Sequence, residues 1–259
     1  MPLIADIQAY LKHSAQQQYK CVPIPGFLAC FHPTSDFSFF NYAIPDIVPP
    51  EIWHASLPLL ETLFRARGRT PRFEFVEECA PALPQCLQEA GWVEEERQIG
   101  MVCTTETFRP APEIPGLMIR ELTPESPLPD MQIFFETQAR GFDPEAIPEP
   151  KTNQEVQHFR NTLGQGAAYL AILEKRVVGV GMYTSPFQGI TEITSVATVE
   201  AYRQRGIASA LMTTAIHNAL AREAHTIYLT AADARAGRVY ERLGFRACLT
   251  MLAYVQPQS

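Results

Sequence analysis

The chain has 259 residues, of which 46% are hydrophobic, and its formal net charge is −7. This length and composition exclude a disordered chain and supply enough apolar material for one large or two ordinary domains. The negative charge argues against a nucleic-acid partner, because phosphate backbones are bound by clustered Lys and Arg, and no apolar run is long enough to span a membrane.

The first half of the chain predicts alternating helices and strands. Ile4, Ile7 and Leu11 recur at helical spacing, which indicates an amphipathic first helix and no secretory signal. Further helices are predicted at 51–65 and 81–90, and strands at 27–31, 37–43, 72–76 and 98–104. The aromatic residues near the second strand are interpreted as core, with a ligand-binding cluster as the alternative; they are Phe37, Phe39, Phe40 and Tyr42.

A proline-rich segment divides the sequence. Pro110, Pro112 and Pro115 prevent both a continuous helix and a central strand. The segment 111–116 is therefore predicted to link two domains, which comprise residues 1–110 and 117–259.

The second domain predicts the same kinds of element. Its predicted elements are strands at 117–122, 168–173, 177–183, 190–199 and 225–231, and helices at 130–140, 153–163, 207–220 and shortly before 245. Gly179 and Gly181 do not form a dinucleotide-binding fingerprint, because a third glycine is missing and the segment continues as a strand.

Two helix endings in the chain are similar. Leu87-Gln-Glu-Ala-Gly-Trp92 and Tyr240-Glu-Arg-Leu-Gly-Phe245 each close a helix that follows a strand. The first half is therefore interpreted as a degenerate partial copy of the second. The first half has no loop like the one described next, and Leu87 stands at the position that matches Tyr240. No cofactor is therefore expected in the first half.

The most informative stretch is the loop Arg203-Gln-Arg-Gly-Ile-Ala208, which opens directly onto a helix. A helix N-terminus presents N–H groups that have no partner within the helix, at the positive end of the helix dipole. Gly206 and Ala208 permit close approach to this main chain, and Arg203 and Arg205 add positive charge. The pattern favours a bound diphosphate, with an ordinary helix start as the alternative.

These motifs resemble those of the GNAT superfamily of acetyltransferases. Arg203-x-x-Gly206-x-Ala208 is similar to its coenzyme A pyrophosphate loop, and Tyr240-x-x-Leu-Gly-Phe245 to its carboxyl-terminal signature. The resemblance implies an α/β (α+β) fold with a mixed, mostly antiparallel central sheet flanked by helices. Together with the internal similarity, it implies two tandem related domains.

The resemblance also implies a set of residues that bind acetyl-CoA. The main chain of Val196, Ala197 and Thr198 would bind the pantetheine arm and face the thioester oxygen. The pyrophosphate would be bound by Arg203, Gln204, Arg205, Gly206, Ile207, Ala208 and Ser209. One position departs from the family pattern: Asp233 stands where relatives carry Asn, and an ionised Asp cannot donate a hydrogen bond to the cofactor.

Two residues are predicted to be catalytic. The resemblance places Tyr240 beside the cofactor sulfur, where a phenol could protonate the leaving thiolate; a structural packing role is the alternative. Glu192 is the candidate general base, because strand alternation places it on one side with Thr194, Val196 and Thr198. Its alternative is a solvent-facing charge at the strand edge.

The predicted function is direct transfer of an acetyl group from acetyl-CoA to a primary amine of a small molecule or peptide. The alternatives are a non-catalytic acyl-CoA-binding or sensing module, and an acyltransferase that uses a longer acyl group or a hydroxyl acceptor. Neither nucleic acid nor a membrane is expected as a partner, and a homodimer is left open.

The six cysteines predict neither a metal site nor a disulfide framework. None forms a C-x-x-C pair or lies at a zinc-ligand spacing from His, so no metal is expected. They are interpreted as buried free thiols in a cytoplasmic protein. These residues are Cys21, Cys30, Cys79, Cys86, Cys103 and Cys248.

Overall fold

A computed structural model describes residues 2–163 and 166–257. The chain forms two compact units. The first contains the chain up to Gly100, together with Thr230–Ala232 and the chain from Ala247 onward, and the second contains Met101–Leu229 and Asp233–Arg246. The proline-rich segment 111–116 lies within the second unit.

The first unit is built on a sheet in the order β1-β2-β3-β4-β11. Its pairs are antiparallel except for β3 and β4, which are parallel. Its elements are α1 (Pro2–Gln18), β1 (Lys20–Ile24), β2 (Phe27–Phe31), β3 (Asn41–Pro45), α2 (Pro50–Arg65), β4 (Arg72–Val76), α3 (Leu83–Glu89), most of β5 (Val93–Thr104) and nearly all of β11 (Arg246–Val255).

The last strand of the chain belongs to the first unit because it pairs with β4. Met251 is in register with Val76 and Val255 with Arg72. Leu252 and Tyr254 of this strand are buried in the aromatic core of the unit. Neither β11 nor β1 was predicted from the sequence, and β5 begins earlier than predicted.

The predicted strand at 37–43 begins too early, because residues 38–40 form a 3-10 turn and pairing begins only at Asn41, the first residue of β3. The buried side chain of Asn41 holds the preceding loop: its Nδ2 donates to the carbonyls of Ser35 and Phe37 over 3.0 and 2.8 Å. The aromatic residues of the turn are consequently not core. Phe37, Phe39 and Phe40 are 56%, 40% and 42% exposed.

The second unit is built on a sheet in the order β10-β9-β8-β7-β6. Its pairs are antiparallel except for β9 and β10, which are parallel. Its elements are β6 (Met118–Leu122), α4 (Leu128–Phe142), α5 (Asn153–Thr162), β7 (Ala167–Leu173), β8 (Arg176–Tyr183), β9 (Ile190–Thr198), α6 (Ile207–Ala221), most of β10 (Thr226–Ala231) and α7 (Ala234–Arg242).

Helices α4 and α6 cover opposite faces of this second sheet. Val180 and Met182 of β8 pack in the cluster that contains Phe134 of α4. The residues between them on β8 face α6 instead. A Cβ atom built on Gly181 would lie 2.5 Å from the side chain of Leu211 in α6. Because side chains alternate along a strand, these contacts place the two helices on the two faces.

The two units repeat one arrangement. In each unit, antiparallel strands are followed by a helix and then by a strand that pairs in parallel with an earlier strand. The helix and strand are α2 and β4 in the first unit, where β4 pairs with β3, and α6 and β10 in the second, where β10 pairs with β9. The next helix ends at a glycine with positive φ, Gly91 at +81° and Gly244 at +95°. The N–H of Trp92 donates to Leu87 O over 2.9 Å, and that of Phe245 to Tyr240 O over 3.1 Å. The predicted internal repeat is confirmed by this matched helix termination.

The helices that precede the parallel strands start differently. The first, α2, begins at Pro50 with Pro49 as its N-cap residue. Proline has no N–H, so these positions offer no amide donors. The second, α6, begins at Ile207 with Gly206 as its N-cap residue.

Candidate functional site

A β-bulge interrupts β9 at Ser195. Between the register pairs Val180–Ala197 and Met182–Thr194, β8 has one residue and β9 has two. Ser195 accommodates the extra residue with a φ of +59°, in the left-handed region. Such a bulge bends the strand and changes which face the following side chains occupy.

The bulge corrects the predicted alternation along β9. Thr194 pairs with Met182 and therefore shares the α4 face, as does Glu192 two residues earlier. Val196 and Thr198 lie on the α6 face, where they are within 3.5 Å of the Cβ positions built on Gly181 and Gly179. The prediction that all four share one side is wrong, because the extra residue reverses the alternation.

The carboxyl-terminal end of β9 has an edge that does not pair with β10. In the part of the chain that the structure describes, the two strands are in register over residues 190–192 and 226–228. Because β9 lies between β8 and β10 and continues to Thr198, the main chain of Val196, Ala197 and Thr198 lies beyond these pairs. This edge could pair with an extended ligand as a further strand would.

The loop after β9 leads to a helix N-terminus without a side-chain cap. Gln204 and Gly206 both have left-handed backbone, with φ of +64° and +79°. Gly206 is the N-cap residue of α6, and as a glycine it has no side chain that could accept a hydrogen bond from the first amides of the helix. Ala210 N–H donates to Gly206 O over 3.0 Å, closing the first turn. The amides of residues 207–209 precede this bond and point out of the helix end.

Arg203 fixes the loop to two neighbouring elements. Its Nε donates to Thr198 O over 3.2 Å, and its Nη2 donates to Gly141 O at the end of α4 over 2.8 Å. Glu200 is 4.0 Å from the guanidinium. We infer that Arg203 holds the loop in shape, since its donors already serve main-chain carbonyls.

Arg205 has a different environment from Arg203. Its side chain is exposed, and its guanidinium carbon lies 5.2 Å from the centroid of the Tyr202 ring. Cationic side chains over an aromatic face are partly oriented by it. Arg205 therefore supplies an exposed positive charge near the helix N-terminus.

Two residues outside the predicted set also shape the loop. A Cβ on Gly141 would lie 2.7 Å from the Cβ of Ala197, so glycine is what allows α4 to approach β9. Ile114 Cδ1 lies 3.4 Å from the Cβ position built on Gly206. Sequence reasoning missed both, although Gly141 was visible as the residue after a predicted helix.

Tyr240 lies on α7 and is half-buried, with its ring centroid 6.1 Å from that of Phe245. Burial raises the pKa of Tyr240, and the negative charge of Asp233 raises it further. The phenol therefore keeps its proton at neutral pH.

Asp233 is the N-cap residue of α7. Its Oδ1 accepts a hydrogen bond from Ala236 N–H over 2.7 Å. Asp and Asn are equally good N-caps, so the departure from the family pattern preserves this structural role.

Glu192 is half-buried on β9, at the last residue in register with β10. Its main chain is held by the β8–β9 turn: its N–H donates to Thr184 Oγ1 over 3.2 Å, and its carbonyl accepts from Thr184 N–H over 3.0 Å. The two predicted catalytic residues thus lie on different elements, Glu192 on a strand and Tyr240 on a helix.

No group of three or more His, Cys, Asp or Glu side chains in residues 2–163 and 166–257 could hold a metal ion. No helix within these ranges is long and apolar enough to cross a membrane.

Comparison with known proteins gives a family match for the second half of the chain. Residues 131–245 match the model of the acetyltransferase (GNAT) family. This range begins within α4, ends at the Leu-Gly-Phe sequence and includes every predicted site residue. No curated protein matches the chain.

Several solved structures share the fold over nearly the whole chain. A GCN5-related N-acetyltransferase from Kribbella flavida is 20% identical, with a TM-score of 0.82 over 99% of this chain and 96% of that one. One from Sphaerobacter thermophilus is 17% identical, with a TM-score of 0.62 over 91% and 82%. A tandem GNAT protein from the clavulanic acid biosynthesis pathway is 13% identical, with a TM-score of 0.60 over 90% and 79%.

Proposed function

We propose that this chain, in which residues 131–245 form an acetyltransferase domain of the GNAT family, transfers an acetyl group directly from acetyl-CoA to a primary amine. The observation that carries the proposal is the start of α6. There the left-handed Gly206 and the absence of a side-chain cap leave the first amides of the helix available to an anion.

Acetyl-CoA would be bound through the main chain at both ends of the loop. The amides of residues 207–209 and the helix dipole would bind the pyrophosphate, with Arg205 adding charge and Arg203 keeping the loop in shape. The pantetheine amides would pair with the edge of β9 at residues 196–198. Thr198 Oγ1 is buried and has no hydrogen-bond partner among the described residues, so only its main chain is assigned a role.

The reaction requires two proton movements. The amine nitrogen attacks the thioester carbon, the C–N bond forms and the C–S bond breaks. Glu192 would accept the proton that the amine loses, directly or through water, and Tyr240 would donate a proton to the departing sulfur. The raised pKa of Tyr240 ensures that the proton is present at neutral pH.

Binding of the cofactor is tested by calorimetry with acetyl-CoA and with free CoA. We expect the wild-type protein to bind both, and Gly206→Ala to bind them at least several-fold more weakly, because alanine disfavours the left-handed conformation. Gly91→Ala is the matched control: its φ is +81°, and a Cβ there meets nothing within 4 Å. Absence of binding by the wild-type protein at saturating ligand would overturn the proposal.

Catalysis is tested by thiol release from acetyl-CoA with a panel of amino acids, polyamines, aminoglycosides and peptides. Thiol release that depends on one class of amine supports acetyl transfer and identifies the acceptor class. Binding of acetyl-CoA without release for any amine favours a sensing module. Faster release from longer acyl-CoAs, or with hydroxyl acceptors, favours the other alternative.

A further inference from the structure

Two cysteines of the first unit lie directly opposite each other in the β1–β2 hairpin. Cys21 is in register with Cys30, and their sulfur atoms lie 2.7 Å apart. We propose that Cys21 and Cys30 form a reversible cross-strand disulfide when the protein meets a low-molecular-weight disulfide such as oxidised glutathione.

The register of the hairpin suits this bond. Ile24 pairs with Phe27 across a two-residue turn, and Pro23 is the next residue outward on β1. Proline has no N–H, so Pro23 occupies a non-hydrogen-bonded position, and Cys21 two residues away occupies another. Opposed residues of this type have Cα atoms about 4.5 Å apart, within the range of disulfides at about 4.4–6.8 Å.

The two thiols differ in accessibility and acidity. Cys21 is half-buried and Cys30 is buried. The hydrogen bond between the two thiols lowers the pKa of Cys21 and raises that of Cys30. Burial raises the pKa of each of the other cysteines, which are Cys79, Cys86, Cys103 and Cys248.

This difference assigns an order to the chemistry. The Cys21 thiolate attacks one sulfur of oxidised glutathione, forms a mixed disulfide and releases one glutathione thiolate. Cys30 then loses its proton and attacks the Cys21 sulfur, so that the Cys21–Cys30 bond forms and the second glutathione leaves. Two cysteine thiols are oxidised, and one molecule of oxidised glutathione is reduced to two of glutathione.

The disulfide would link the edge strand β1 covalently to its neighbour β2. Strand β1 is the terminal strand and pairs only with β2 in the sheet order of the described residues. Cys30 lies in a buried cluster with Ala15 of α1 and Ile44 of β3. A covalent link at this position would hold β1 against the rest of the unit and restrict the unfolded chain.

The test treats the folded full-length protein with oxidised glutathione, blocks free thiols with an alkylating agent and maps the products. Chymotrypsin cleaves after Phe27 or Leu28, between the two cysteines, so a disulfide would join two otherwise separate peptides. We expect the wild-type protein to lose two titratable thiols, to show this peptide pair and to recover both thiols with a reductant. Oxidation should also raise its melting temperature.

Matched variants distinguish this site from general oxidation. Cys21→Ser and Cys30→Ser should each abolish the peptide pair, and Cys30→Ser should retain glutathione on Cys21. The double variant Cys79→Ser, Cys248→Ser should form the pair like the wild type. The proposal is overturned by six free thiols after treatment, by a stable glutathione adduct on wild-type Cys21, or by linkage of other cysteines. Far-ultraviolet circular dichroism verifies that each variant is folded.

Discussion

Arg203 and Gly141 are joined by a hydrogen bond of 2.8 Å from the guanidinium Nη2 to the main-chain carbonyl. The same side chain donates to Thr198 O, so one residue connects the proposed phosphate loop with the ends of α4 and β9. The loop therefore depends on a side chain that faces the protein, while the neighbouring Arg205 is exposed.

This arrangement predicts different behaviour for the two arginines. Arg203→Gln should weaken acetyl-CoA binding by roughly tenfold or more, since each hydrogen bond from a charged donor contributes about 1.5–3 kcal/mol. Arg205→Gln should weaken binding through lost charge, and this loss should shrink with added salt. Calorimetry at two salt concentrations measures both. If added salt abolished the loss of acetyl-CoA affinity in Arg203→Gln, the positioning role of Arg203 would be contradicted.

The contact between α4 and β9 predicts that Gly141→Ala destabilises the second unit by about 1–3 kcal/mol. The added Cβ would lie 2.7 Å from the Cβ of Ala197, which must then move. Ala197→Gly removes that atom, so the double variant should recover most of the loss. Denaturant unfolding of the four proteins gives the coupling energy, and additive effects would show that the two sites do not clash.

The proposed acid predicts a pH effect. Tyr240→Phe should lower turnover by about 100-fold or more and leave acetyl-CoA affinity nearly unchanged. An acid acts in its protonated form, so the raised pKa should keep wild-type activity until well into alkaline pH. Asp233→Asn keeps the N-cap and removes the charge that contributes to this pKa, so activity should fall at a lower pH. Wild-type rates for Tyr240→Phe across the pH range would exclude Tyr240.

The start of α5 predicts a contribution to stability that acid removes. Glu155 accepts hydrogen bonds from Lys151 Nζ, over 2.9 Å, and from Thr152, which lower its pKa from 4.5 to about 2. A lowered pKa stabilises the fold above the unfolded-state value, and this stabilisation is lost as pH falls from about 4.5 to about 2. The stability difference between wild type and Glu155→Gln should therefore shrink over this interval. A constant difference would contradict the assignment.

Most elements near the proposed site were predictable because their patterns are local. Apolar spacing after Gly206 predicted α6, and the glycine before Phe245 predicted the end of α7. The exposed turn at 38–40 was missed because its aromatic residues are typical of a strand. The side chain of Asn41 donates hydrogen bonds to Ser35 and Phe37, and these bonds, which the alternation pattern does not reveal, hold the chain in a turn there.

By itself, the sequence determined the order of strand, loop and helix and the repeated helix endings, since these follow from local conformational preference. The tertiary structure alone decided which groups share a face and which strand completes each unit. The bulge at Ser195 separates Glu192 from Val196, and β11 pairs with β4 far back in the chain. Both depend on hydrogen bonding to another strand, which the residues of one strand do not encode.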